Sequence, residues 1–141
     1  MSTLNRFIEQ QNKMYDIALT AIKNGEKESH YMWYIFPQLR GLGYSTMSYV
    51  YGIDGIDEAK AYLRHPILGV RLIEISEAIL KHKEKTAEEI LGEIDAVKLR
   101  SSMTLFASIS PIGSVFHQVL ECFFNGEMDD RTLNLIARKT I

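Results

Sequence analysis

The chain has 141 residues, enough for one domain with its own core, and its 46% hydrophobic and 24% charged composition is that of a soluble globular protein. A formal net charge of −2 leaves no basic footprint for nucleic acid, and the single cysteine, Cys122, excludes an intramolecular disulfide or a multi-cysteine metal cage. No run approaches the roughly 18 apolar residues of a membrane span, and the opening MSTLNRFIEQQ does not read as a secretory signal, so a cytoplasmic location and no membrane partner are expected.

Helical periodicity starts at once. Leu4, Phe7, Ile8 and Gln11 continue through Tyr15, Ala18, Leu19 and Ile22 with a period near 3.6, and Asn24-Gly25 supplies the stop. Tyr31 to Phe36 is too apolar for an exposed amphipathic helix, and its Met and Trp content favours a buried helix over a strand. Gly41-Leu-Gly43 breaks the chain, after which Ser45 can cap a short helix reaching Tyr49 to Tyr51. Asp54-Gly55 is a turn, and Asp57 can start a helix over Glu58 to Leu63.

A further helix is predicted to begin at His65-Pro66, since proline is tolerated at the first helical position. Ile67, Val70, Ile73 and Leu80 would supply part of its apolar stripe, with Arg71, Glu74, Glu77 and Lys81 on wetter sides. Thr86 with Glu89 is a capping box for the next short helix. Asp95 to Ile109 reads as a helix ended by Ser110-Pro111, and Ser114 caps Val115 to Phe124, closed by Asn125-Gly126. Cys122 in that helix is expected as a small buried hydrophobe. Asp129 starts the last helix, packed through Leu133, Leu135 and Ile136, with Arg138-Lys139 at its negative end. No alternating strand pair appears. The expected architecture is a compact, multihelical, all-α single domain of about seven to eight helices spanning 1–141.

Two apolar runs carry side chains that a simple core avoids. Trp33, Gln38 and Arg40 follow His30 in SHYMWYIFPQLRGLG, and Lys98, Arg100, Ser101, Ser102 and Thr104 interrupt KLRSSMTLF. Buried polar and charged groups cost several kcal/mol unless partnered, so these segments mark either a site or a specific polar network. On a helical wheel Lys98 and Ser102 share an edge, whereas Lys98 and Arg100 lie about 160° apart. One pocket therefore takes only one of the two cations, and the other is structural.

His30 is the candidate acid or base, because its ordinary titration range lies near neutrality. Arg40 before Gly41-Leu-Gly43, and Arg64 with His65 at a helix start, could each meet an anion or merely close a turn. His82 in KHKEK is expected in solvent, and His117 stands isolated in an apolar helix. No spacing of His, Cys or carboxylates supports a metal site, and no glycine-rich cofactor loop occurs, so neither a metal nor a cofactor is expected.

Long stretches of the chain resemble a known family. Ser29-His30, MWYIFPQLRGLG, Tyr51-Gly52-Ile53, Ala61-Tyr62-Leu63, HPILG from His65, KLRSSMTLF, FF-x-G at Phe123 and D-x-R-T-L at Asp129 are similar to the DUF1810 family, across almost the whole length. The resemblance implies a compact all-α single domain and supplies no activity. The family's recurring polar positions map onto His30, Gln38, Arg40, Arg64, His65, Lys98, Arg100, Ser101, Ser102 and Thr104, with Tyr31 and Tyr34 standing where the family often shows Trp and Phe.

Two functional readings follow. In the first, a polar pocket between helices binds, or acts on, a small anionic ligand, phosphorylated or nucleotide-like. His30 is its acid–base group, Arg40 and Lys98 clamp the anion, the hydroxyls orient it, and Trp33 forms a wall. In the second, the chain is a non-catalytic interaction or regulatory module whose polar network only fixes helix packing.

Overall fold

In the computed structural model, which describes residues 4–25 and 31–140, the first helical pattern becomes α1 (Asn5–Lys23), burying Phe7, Gln11, Tyr15, Ala18 and Ile22. The aromatic run is a single buried turn, α2 (Met32–Ile35). Then come α3 (Thr46–Val50), α4 (Ile56–Arg64), α5 (Leu68–Leu80), α6 (Ala87–Leu91), α7 (Glu93–Ala107), α8 (Val115–Phe124) and α9 (Asp130–Thr140). Among the described residues there are nine helices and no strand. The expected seven or eight become nine because α2, α3 and α6 have five residues or fewer.

The polar caps act where the sequence places them. Ser45 Oγ accepts from Ser48 N–H, Thr86 and Glu89 form the reciprocal capping box, and Ser114 Oγ accepts from His117 N–H. Asp129 Oδ2 accepts from Thr132 N–H at 2.9 Å, which caps α9. Each such cap contributes about 1 kcal/mol.

Helix α7 is the hub, packing on α2, α4, α6, α8 and α9, while α5 packs on α1, α4 and α8. All seven residues from Ser101 to Ala107 are buried. A file of rings ties the layers together: Phe7 meets Tyr62 edge-on at 5.1 Å, Tyr62 meets Phe106 at 5.5 Å, and Phe106 meets Phe116 at 5.7 Å. Such pairs add about 0.5–1.5 kcal/mol each beyond the area they bury. Beside them Gln11 donates its amide to Tyr34 O (2.7 Å) and to the Tyr62 hydroxyl (2.9 Å), so α1 carries the polar groups of α2 and α4 into the core.

Between α2 and α4 the chain folds back on itself. Leu39 and Ile53 form an isolated parallel bridge, with Arg40 N–H on Ile53 O and Ile53 N–H on Gln38 O, both at 2.8 Å. Gly52 makes the closure possible, since a Cβ there would sit 2.7 Å from both Arg40 Cβ and Ser48 O. From α1, Arg6 donates to Val50 O and Gly52 O and pairs with Glu58 at 2.8 Å, fastening the loop from behind.

Four expectations are corrected. The buried stripe of α5 is Leu68, Leu72, Ile75 and Ile79, while Ile67, Val70 and Ile73 are exposed. This helix is apolar around most of its circumference, so periodicity alone does not choose a face. Gly69 chooses it: any Cβ there would collide with the Leu63 carbonyl, so the end of α4 presses on that side. The helix also starts later than His65-Pro66, because the His65 ring caps it: Nδ1 accepts the N–H groups of Ile67 (3.1 Å) and Leu68 (3.3 Å). Cys122 is exposed rather than buried, because it lies about 200° around α8 from Leu120, away from the Phe116–Val119–Leu120 face. His82 is largely covered, its Nε2 3.0 Å from Lys23 O at the end of α1.

Candidate functional site

Where the first turns of α7 and α9 face the folded-back loop, a cleft of about 390 Å³ opens. One wall is Trp33 of α2 and Ile94, Val97, Lys98 and Ser101 of α7. The opposite wall is the loop, through Gln38, Leu39, Leu42, Tyr51 and Gly52, and Asp129 and Arg131 close the end. Ile94 and Val97 are 76% and 62% exposed, although α7 is otherwise the centre of the core. The helix runs from the cleft mouth into the interior, so its apolar first turn is cleft lining.

Lys98 is the charged centre of this wall. Its ammonium lies 4.1 Å from the centre of the Trp33 ring and 3.1 Å from Asp95 Oδ1. Burial holds it below the ordinary lysine value. A cation over an indole face gains about 0.5–1 kcal/mol, and more when desolvated. Its stem and ring together present a flat, positively charged surface to the cleft.

At the far end Arg131 donates to Leu42 O at 2.7 Å, which joins α9 to the loop. A guanidinium has five N–H donors, so this bond leaves most of the fork directed elsewhere. Asp129 Oδ2 takes both the N–H and the hydroxyl of Thr132, and Ser101 Oγ lies 3.4 Å from it. That carboxylate adds an acceptor suited to a ligand hydroxyl or amine.

The structure brings together Trp33, Gln38, Lys98 and Ser101 of the sequence-predicted set. It places the others elsewhere. Arg40 stacks on Tyr49 at 4.7 Å, donates to Tyr49 O at 2.9 Å and pairs with Asp54, outside the cleft. Arg64 is exposed at the end of α4, and His65 is the cap of α5. Arg100 is the structural cation: it donates to the carbonyls of Glu127 (2.9 Å) and Met128 (3.0 Å). Thr104 bonds back to Arg100 O and accepts Asp129 N–H, and Ser102 is fully buried within α7, its hydroxyl without a hydrogen-bond partner among the described residues. His30 lies outside the described residues.

Arg131, Asp129, Leu42 and Tyr51 are among the cleft residues that the sequence did not single out. Their signal lay inside the quoted motifs, D-x-R-T-L for the first two and RGLG for Leu42, but nothing local showed that α9 reaches the loop. Among the described residues no group of three or more His, Cys, Asp or Glu side chains is placed to hold a metal, and no helix is long and apolar enough to cross a membrane.

The family described as "Protein of unknown function (DUF1810)" matches residues 1–136. The crystal structure of the conserved hypothetical protein Rv1873 from Mycobacterium tuberculosis is similar to this chain, with a TM-score of 0.92 and 41% identity over 95% of this chain and 96% of that one. No curated protein matches the chain.

Proposed function

The chain belongs to the DUF1810 family, and from its cleft we propose that it binds a small anionic ligand with a planar, apolar body, of the aromatic phosphate or nucleotide kind. The observation that carries this is the Lys98 ammonium held over the Trp33 ring on a wall whose other members, Ser101 apart, are apolar. Leaving a cation partly desolvated is costly, and a bound anion would offset that cost. The size supports it too, since ligand clefts run from about 300 to 1,000 Å³ with few polar groups among apolar walls. Gln38 and Ser101 supply neutral hydrogen-bonding groups, and Arg131 a second cation.

Trp33 is the only tryptophan of the chain, so its fluorescence reports on this cleft alone. Titration with phenyl phosphate and with AMP should quench it saturably, and Lys98→Met should weaken both. Unchanged emission with both compounds at millimolar concentration would refute the proposal.

The reading as an interaction module has its own support. Arg40, His65, Arg100 and Thr104 are each satisfied by groups of the fold itself. That accounts for four of the ten polar positions without a ligand; Lys98 has Asp95 at 3.1 Å, yet its ammonium also lies over Trp33 in the cleft wall.

A further inference from the structure

A second, shallower groove of about 210 Å³ lies on the other side of Arg131, lined by Gly41, Asn134, Leu135 and Arg138. Arg131 lines both this groove and the cleft, so one side chain borders the two spaces. Arg131, Asn134 and Arg138 are spaced i, i+3, i+7 along α9, which sets them on one face with the two arginines about 10.5 Å apart along the axis. Extended guanidinium arms can converge across that distance. Gly41, with φ at +110° and Leu135 Cδ1 placed 3.5 Å from where a Cβ would be, keeps the floor low and free of a side chain.

The charges in this groove are one-sided. Among the described residues no carboxylate lies within ion-pair distance of Arg131 or Arg138. Arg6, Arg40 and Arg100 each have a carboxylate, and Arg71 donates to the side-chain amide oxygens of Gln11 and Asn12. Two like charges facing one groove repel, and a multivalent oxyanion relieves that repulsion through forked hydrogen bonds.

We infer that this groove is the phosphate end of the cleft, and that the protein's ligand class is a nucleoside diphosphate. The base lies against Trp33, the phosphate nearer the sugar meets Arg131, and the terminal phosphate meets Arg138 and Asn134. Asp129, at the junction, faces the hydroxyl-bearing sugar. This assignment rests on the cleft reading above.

The test follows Trp33 fluorescence and calorimetry with AMP, ADP, phenyl phosphate and pyrophosphate, on the wild-type chain and on Arg138→Gln. Arg138 is exposed, so the variant should fold and melt normally. ADP should bind about tenfold more tightly than AMP, the worth of one added charge-assisted contact. Arg138→Gln should bring ADP to the AMP level while leaving AMP and phenyl phosphate unchanged. Pyrophosphate should bind weakly and leave the Trp33 emission unaltered. Equal affinity for AMP and ADP, or an Arg138→Gln variant with undiminished ADP binding, overturns the diphosphate assignment while the cleft reading stands. So does quenching by phenyl phosphate with no binding of ADP. No quenching by any of the aromatic phosphates overturns both.

Discussion

Replacing Lys98 by methionine separates a ligand-binding cation from a packing one. Methionine keeps an unbranched stem against Trp33 and removes only the charge. In the ligand-free protein the loss comprises a cation–π contact of about 1 kcal/mol and an i,i+3 pair with Asp95 of about 0.3–0.5 kcal/mol. The relief of lysine desolvation opposes both, and burial is the cause that lowers this ammonium. The net change should stay within about 1 kcal/mol, a melting shift of roughly 2–4 °C for a chain this long.

The bound state should respond far more. A charge-assisted hydrogen bond contributes about 1.5–3 kcal/mol, so the dissociation constant for AMP should rise roughly 30-fold. At an AMP concentration 100 times the wild-type constant, ligand stabilisation falls from about 2.7 kcal/mol to about 0.9 kcal/mol. Thermal melts with and without AMP read both quantities in one experiment. A variant that loses about 3–5 kcal/mol without ligand, as breaking a buried pair does, yet keeps the full AMP shift would refute the reasoning. The alkaline behaviour checks the same residue. Because burial lowers Lys98 in the folded state, the folded protein holds fewer protons than the unfolded chain just below the ordinary lysine value of 10.5, so its part of the stability grows as pH rises through that window; Lys98→Met should lack this slope.

Three further outcomes are expected. Arg100→Ala removes the clamp on the Glu127 and Met128 carbonyls and should cost about 1–2 kcal/mol in denaturant melts, with the AMP shift intact. Gln11→Leu leaves Tyr34 O and the Tyr62 hydroxyl without their buried donor and should cost about 2–4 kcal/mol, the largest loss among these variants. Burial pushes Tyr15 and Tyr62 above the ordinary tyrosine value of 10.0, with the hydrogen bond to Glu74 adding to the shift at Tyr15. Their contribution is present below about pH 10 and is lost above it, as the unfolded chain releases protons that the folded one keeps. Tyrosinate absorbance should therefore appear for these two in step with unfolding, and Tyr15→Phe should flatten the alkaline loss of stability.

The parts of the fold written in local chemistry were legible in the sequence. Ser45, the Thr86–Glu89 box, Ser114 and Asp129 each announce a helix start through a side chain that acts within three residues of itself. The parts decided by long-range packing were not. The face of α5 turns on one glycine meeting a carbonyl of the preceding helix, and the exposure of Cys122 turns on which side of α8 the core occupies. The site shows the same division. The wheel separates Lys98 from Arg100 and says that one is structural, while only the fold shows that Arg100 is spent on the 127–128 carbonyls. Arg131 could not be ranked from its surroundings in sequence, because its partner Leu42 is 89 positions away.

The loop between α2 and α4 carries one wall of the cleft, and the bridge at Leu39 and Ile53 pins its two ends together. With its base closed by hydrogen bonds and held by Arg6, the loop's length can change at its tip for only a small entropic cost, which grows as the logarithm of loop length. Tyr44 marks that tip, fully exposed and six residues from the nearest Arg6 contact at Val50. The fold thus carries a built-in point of variation: residues added or exchanged around Tyr44 would raise, lower or recolour the rim while Trp33, Lys98 and Arg131 keep their places. Selectivity could then drift between related chains without a change in the binding floor.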